Sequence, residues 1–230
     1  MKIKKKTKSV AQKAAITDSI KNFSNKAVNS LAIASVVAGG SVVFNSNAEA
    51  TNWALAIFAG VSQIYQAQTN ASIVISGIWV WNAPDPYSAY NDTEDMLYEL
   101  RDYWQLNNSA INRDLVHLLS KRMLGGGIAF VDALCDNSIG YAISTSLTND
   151  TTYSFPNPSF TWTLMVVTHE TGHNIGANHT HWCGWPGGPI DNCIDVEGSC
   201  SNNPSPQWGT IMSYCHIGGN GIIMEFHPTV

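Results

Sequence analysis

His169-Glu170-Thr171-Gly172-His173-Asn174-Ile175-Gly176-Ala177-Asn178-His179 decides how this 230-residue chain is read. On a helix, His169 and His173 stand at i and i+4, so both imidazoles leave one face about a turn apart. That spacing lets two ring nitrogens reach one Zn²⁺ at about 2.0–2.1 Å. Glu170, beside the first of them, suits a general base rather than a ligand. Gly176 can adopt a positive φ, which ends the helix and turns the chain sharply. The turn brings His179 back as a third ligand. Three protein ligands and a fourth position for water are the pattern of a catalytic zinc, whereas a structural site would need a fourth protein ligand. His117, His216 and His227 are read as ordinary core or surface histidines, and His181 as a surface residue beside the loop.

Upstream of the motif, Thr161–Ile175 is apolar enough for a buried helix. Residues 53–67 predict another helix, with Trp53, Ile57, Val61 and Ile64 on its apolar face. Ala71–Trp81 is β-branched and aromatic between turn residues and reads as a strand. Asp92 or Thr93 can cap a helix running to about Asn107, with Met96, Leu97, Leu100, Tyr103 and Trp104 on one face. Asp114–Ser120, Gly125–Val131 and Gly140–Thr145 are further strand candidates. After Gly176 the chain turns rich in Gly, Pro, Asn and Cys, with no periodic segment. The pattern is α+β: a layered upper part over about 51–176 and an irregular lower part over about 177–230.

Residues 1–50 differ from the rest. They hold eight lysines against Asp18 and Glu49, a net charge of +6, whereas residues 51–230 hold four basic and 15 acidic side chains, a net −11. A Lys-rich start, the apolar run Leu31–Phe44 and Ala48-Glu49-Ala50 have the order of a secretory signal peptide, with cleavage expected after Ala50. The alternative keeps the leader attached, with Ser41–Phe44 as a buried strand. A body of net −11 excludes nucleic acid as a partner. No apolar run reaches the length of a spanning helix.

Cys183, Cys193, Cys200 and Cys215 crowd into 33 residues, and none forms a C-x-x-C pair. Clustered cysteines in a loop-rich stretch read as disulfide staples of an exported protein. Cys135 is left over, and the connectivity cannot be read from sequence. Asp191, Asp195 and Glu197 lie close together, but no recognised calcium-loop spacing supports a calcium site.

H-E-x-x-H-x-x-G-x-x-H followed by a Met-turn is the signature of the metzincin zinc peptidases. Gly209-Thr210-Ile211-Met212-Ser213-Tyr214 looks like that turn, with Met212 as its methionine, 33 residues after His179. The chain resembles metzincins over about residues 53–230, most closely the bacterial reprolysin-like (adamalysin-type) peptidases. The resemblance implies a zincin-like fold: a mixed sheet, two long helices above the cleft and a disulfide-stapled lower subdomain. It also implies one catalytic zinc on His169, His173 and His179, with Glu170 as catalytic base. Gly127, Ile128 and Ala129 sit where the family has the edge strand that pairs with substrate backbone.

Departures are visible. Adamalysins usually have Asp directly after the third histidine, where this chain has Thr180 followed by His181. Tyr214 is more like the astacin and serralysin groups, where that tyrosine can bind zinc or stabilise the oxyanion. With cleavage after Ala50 the family's first strand is missing, and its C-terminal helix has no counterpart in the 18 residues past Met212. A domain shortened at both ends is therefore expected. The function expected is a secreted, monomeric zinc endopeptidase acting on protein or peptide substrates. The competing reading is a zinc-binding but inactive relative that serves as a protein-binding module.

Overall fold

The computed structural model describes residues 30–37, 44–81, 85–201, 204 and 208–230. Eight elements follow in order: β1 (Ser30–Val37), α1 (Asn47–Thr69), β2 (Ser72–Val80), α2 (Thr93–Asn107), β3 (Leu115–Leu119), β4 (Gly127–Ala129), β5 (Tyr141–Ser144) and α3 (Trp162–Ile175). Their ends follow from local chemistry. The Ser46 hydroxyl accepts from the Glu49 amide while the Glu49 carboxylate accepts from the Asn45 amide, closing the first turn of α1 reciprocally. Asn70, left-handed at φ 56°, stops that helix. The Asp92 carboxylate caps α2 by accepting from the amides of Glu94 and Asp95. Thr161 caps α3 through the Leu164 amide.

The sheet order is β2-β1-β3-β5-β4. The pairings β1–β2, β1–β3 and β3–β5 are parallel, and only β4 runs antiparallel, on β5. Every residue of β3 and β5 is buried, as parallel strands covered on both faces must be. Alternation divides their side chains. Leu115 and Leu119 join α1 and α3 in one core, with Phe58, Val61, Ile64, Leu164 and Val167. Val116, Leu118, Tyr141 and Ile143 join α2 in another, around Met96, Leu100 and Trp104. Helices α1 and α3 therefore share one face of the sheet, and α2 covers the opposite one. The Tyr65 hydroxyl of α1 donates to the Thr168 carbonyl of α3 at 3.0 Å, tying the shared pair together.

Two elements cross the boundary that the sequence reading places after Ala50. β1 lies between β2 and β3, with Ile33 fully buried. α1 begins at Asn47 and runs straight through Ala50, itself buried. Of the alternative strand at Ser41–Phe44, residues 41–43 lie outside the described ones, and Phe44 packs at 5.1 Å on Trp53; the strand described here is Ser30–Val37. So are the lysines before Ser30. Beyond α3 no helix or extended strand occurs among the described residues. The lower part is held by Cys183–Cys200 and Cys193–Cys215, and Cys135 stands outside both bridges.

His117 is the buried histidine of β3. Its Nε2 lies 2.9 Å from the Ser144 hydroxyl and its ring meets Phe58 edge-on at 5.7 Å. Burial pushes it down to about 3. A histidine depressed in the folded state contributes stability above its unfolded value of about 6.5, and that contribution fades as pH falls from there towards 3. Chemical denaturation followed between pH 7 and 4 should show stability falling with acid, by up to about 1.4 kcal/mol per pH unit from this group. His117→Gln should flatten the slope; an unchanged slope would remove His117 as its source. A chain trimmed to start at Thr51 should fail to fold, because β2 and β3 lose the strand that joins them; native-like circular dichroism from that chain would show β1 to be dispensable.

Candidate metal centre

Helix α3 is apolar along its buried length because it lies between α1 and the sheet, and its last turns carry the histidines into the middle of the molecule. His169 and Glu170 are 3% and 4% exposed, and His173 is 7%. Gly176 ends the helix at φ 115°, its amide donating to the carbonyls of Gly172 and His173. The Ala177 amide returns to Gly172 at 2.9 Å. This left-handed cap is strained for any residue with a Cβ. The chain then doubles back, and His179 Nε2 comes within 3.0 Å of His173 Nε2. Ring nitrogens of His169, His173 and His179 all lie within 4.8 Å of one another.

Each imidazole is held at its other nitrogen by a different acceptor. His169 Nδ1 donates to the Ile211 carbonyl at 2.7 Å, and His173 Nδ1 to the Ala177 carbonyl at 2.8 Å. His179 Nδ1 donates to Glu197 Oε1 at 2.7 Å. A hydrogen on each Nδ1 leaves the Nε2 lone pairs facing a common point, which is how protein frameworks prepare imidazoles for a metal. Burial, reinforced by the neighbouring imidazoles, holds His169 well below its usual range and brings His173 down to about 4. Neutral imidazole is the ligating form. The donor set therefore fits one zinc ion.

Glu170, next to His169, is buried. Its Oε2 is a buried acceptor with no hydrogen-bond partner in the protein, and burial raises its carboxyl well above the ordinary range. Gly127 of the edge strand packs against it: a Cβ there would fall 2.6 Å from Glu170 Cγ. β4 has a neighbour on one side only, so the strand closest to Glu170 is also the free edge.

Met212 is fully buried in the turn Thr210–Ser213, which the Ser213 amide closes on the Thr210 carbonyl at 2.9 Å. A Cβ on Gly172 would lie 2.8 Å from Met212 Sδ. The glycine inside the motif thus lets the helix sit directly on the methionine. The same turn supplies the Ile211 carbonyl to His169, so it braces the first histidine from below. Tyr214 lies over the histidines, its ring centroid 4.5 Å from that of His179, and burial pushes its hydroxyl up to about 12.

Thr180, directly after His179, is held by an acid from farther along the chain. The Thr180 hydroxyl donates to the Asp191 carboxylate, and the Thr180 amide donates to the Met212 carbonyl at 2.9 Å. All three residues are buried. Asp191 and Glu197, grouped in the sequence reading only as acids near a possible calcium loop, are thus both drawn into the framework of the histidines. His181 is corrected as well. It is fully buried, with its ring stacked at 12° on His179 and 5.2 Å from that of Tyr214.

Gly172→Ala should force the helix off Met212 and loosen the triad. We expect cobalt or zinc to bind about 10–100-fold more weakly, the range for disturbed outer contacts of a metal site. Competition with a chromophoric chelator measures this; unaltered affinity would show that the close approach is incidental.

The chain is also similar to known proteins. Residues 24–222 match the family model Reprolysin_5, described as metallo-peptidase family M12. Mouse (Mus musculus) disintegrin and metalloproteinase domain-containing proteins 1a and 1b are each 22% identical over 143 residues, 60% of this chain. The chain spans 17% and 16% of their lengths. Among solved structures, one described as a chaperone-substrate complex covers 66% of this chain and 24% of its own, at 14% identity and TM-score 0.48. With a match that reaches from before β1 to beyond the Met212 turn, the chain belongs to metallo-peptidase family M12, reprolysin type.

Proposed function

We propose that this protein is a secreted zinc endopeptidase, with a catalytic domain that begins ahead of Ser30. The observation that carries the reading is the convergence of three Nδ1-anchored imidazoles beside the buried Glu170 carboxylate, whose Oε2 has no hydrogen-bond partner in the protein. His169, His173 and His179 would hold the ion. Bound there, zinc would supply a Lewis acid to polarise the scissile carbonyl and make a water easier to deprotonate.

The protein's own groups do the rest. Glu170 takes the proton from the attacking water and delivers it to the leaving amine; its raised proton affinity, a product of burial, suits both transfers. Tyr214 keeps its phenolic proton and offers a hydrogen bond to the developing oxyanion. The free edge at Gly127, Ile128 and Ala129 pairs with an extended substrate backbone and lays it against Glu170. Met212 and Gly176 act on position alone: one supports the base of the site, the other turns His179 into it. Two disulfides in the lower part suit an oxidising compartment. No helix among the described residues is long and apolar enough to cross a membrane.

Glu170→Gln should retain one zinc per chain and lower peptide hydrolysis by about 10²–10⁴-fold, the weight of a general acid–base group. Zinc content and cleavage of a denatured protein substrate are measured on the same samples. Retained turnover would overturn the role of Glu170, and a wild-type chain that binds zinc without turnover would favour the inactive binding module.

A further inference from the structure

Glu197 lies beside two histidines. Its Oε1 accepts from His179 Nδ1 at 2.7 Å and faces His181 Nε2 at 3.4 Å. A ring nitrogen from each histidine and a carboxylate oxygen of Glu197 lie within 4.8 Å of one another. His181 is fully buried, yet its Nδ1 has no hydrogen-bond partner and its Nε2 has only the long contact with Glu197. Such orphaned groups are uncommon in folded proteins and call for an explanation, a bound ion among them. The placement is built rather than accidental. The Glu197 amide donates to the His181 carbonyl at 3.0 Å, the Cys183 amide returns to the Glu197 carbonyl at 2.9 Å, and Cys183–Cys200 closes the loop around the pair. Glu197 is partly exposed, which leaves room for solvent to complete a coordination shell.

We propose that His181 and Glu197 form a second, weaker site for a borderline transition-metal ion such as Zn²⁺, next to the catalytic centre, and that filling it inhibits the enzyme. The inhibitory part rests on the peptidase reading above. Imidazole nitrogen with carboxylate oxygen is a donor set for zinc and its neighbours, not for calcium. The oxygen that faces His181 is the one that anchors His179. An ion taken by His181 and Glu197 therefore competes with His179 for Oε1 and loosens the third catalytic ligand. The site would make the enzyme self-limiting in excess zinc.

The test uses the full chain loaded with one equivalent of zinc and dialysed against increasing Zn²⁺, with bound metal and peptide hydrolysis measured together. Wild type should take up a second equivalent as hydrolysis falls about 10–100-fold, the usual weight of an outer-shell partner. His181→Gln should stop at one equivalent and resist inhibition, and His181→Asp, which restores a ligand, should recover the second equivalent. The cobalt absorption spectrum at one equivalent should match in all three, showing the first site intact. Wild type that stops at one equivalent, or His181→Gln that still binds two, overturns the second site. A second equivalent without loss of hydrolysis overturns the inhibition alone. No tight first equivalent, or no hydrolysis at one equivalent, is instead a failure of the peptidase reading.

Discussion

Three imidazoles can share an ion only if each is held at the nitrogen that does not bind it, and this chain draws the three anchors from three places. His173 is anchored by Ala177 on its own turn, His169 by Ile211 on the Met212 turn, and His179 by Glu197 on a disulfide-closed loop. The remaining structure serves that requirement. Cys193–Cys215 ties the Met212 turn to the segment that carries Asp191, which in turn holds Thr180 beside His179. Cys183–Cys200 sets Glu197 against His179. The described residues of the lower part form no helix or long strand to hold such positions by ladders, so covalent links and scattered backbone bonds do it.

The upper part solves a different problem, that of burying a polar helix end. Asp132 and Ala133 donate their amides to the His173 and Asn174 carbonyls, and the Asn174 side chain donates to the carbonyls of Phe130 and Tyr141. The last turn of α3 is thus pinned to β4 and β5. Its carbonyls are satisfied by the sheet region rather than by water, which keeps the surroundings of Glu170 dry. Dryness in turn raises the Glu170 carboxyl and keeps His169 and His173 neutral. The geometry that positions the ligands and the burial that sets their protonation have one source.

Much of this was legible from residues close in sequence. His169, His173, Gly176 and His179 lie within one helix end and one turn, so 3.6-residue periodicity and the freedom of glycine are enough to bring them together. The caps at Asp92 and Thr161 and the apolar faces of α1 and α2 are equally local. β1 was not legible. A lysine-rich start followed by Leu31–Phe44 fits the apolar core of a signal peptide, and it equally fits a parallel strand buried on both faces, because both are continuous apolar runs. The structure pairs Ser30–Val37 between β2 and β3, and those partners lie far away in sequence. His181 failed for a similar reason: in a stretch of Gly, Pro and Asn nothing local indicates burial.

By itself, then, the sequence determined the chemistry: an i, i+4 histidine pair, a neighbouring carboxylate, a returning third histidine and four cysteines available to staple the lower part. Tertiary structure decided which groups surround that chemistry. It alone brought Ile211 under His169, Asp191 to Thr180, Gly172 onto Met212 and Glu197 between His179 and His181. The physical reason is range. Periodicity and turn preference act over a few residues, whereas these contacts join positions from 11 to 42 residues apart, where the register is set by disulfide pairing and by hydrogen bonds between distant backbone segments.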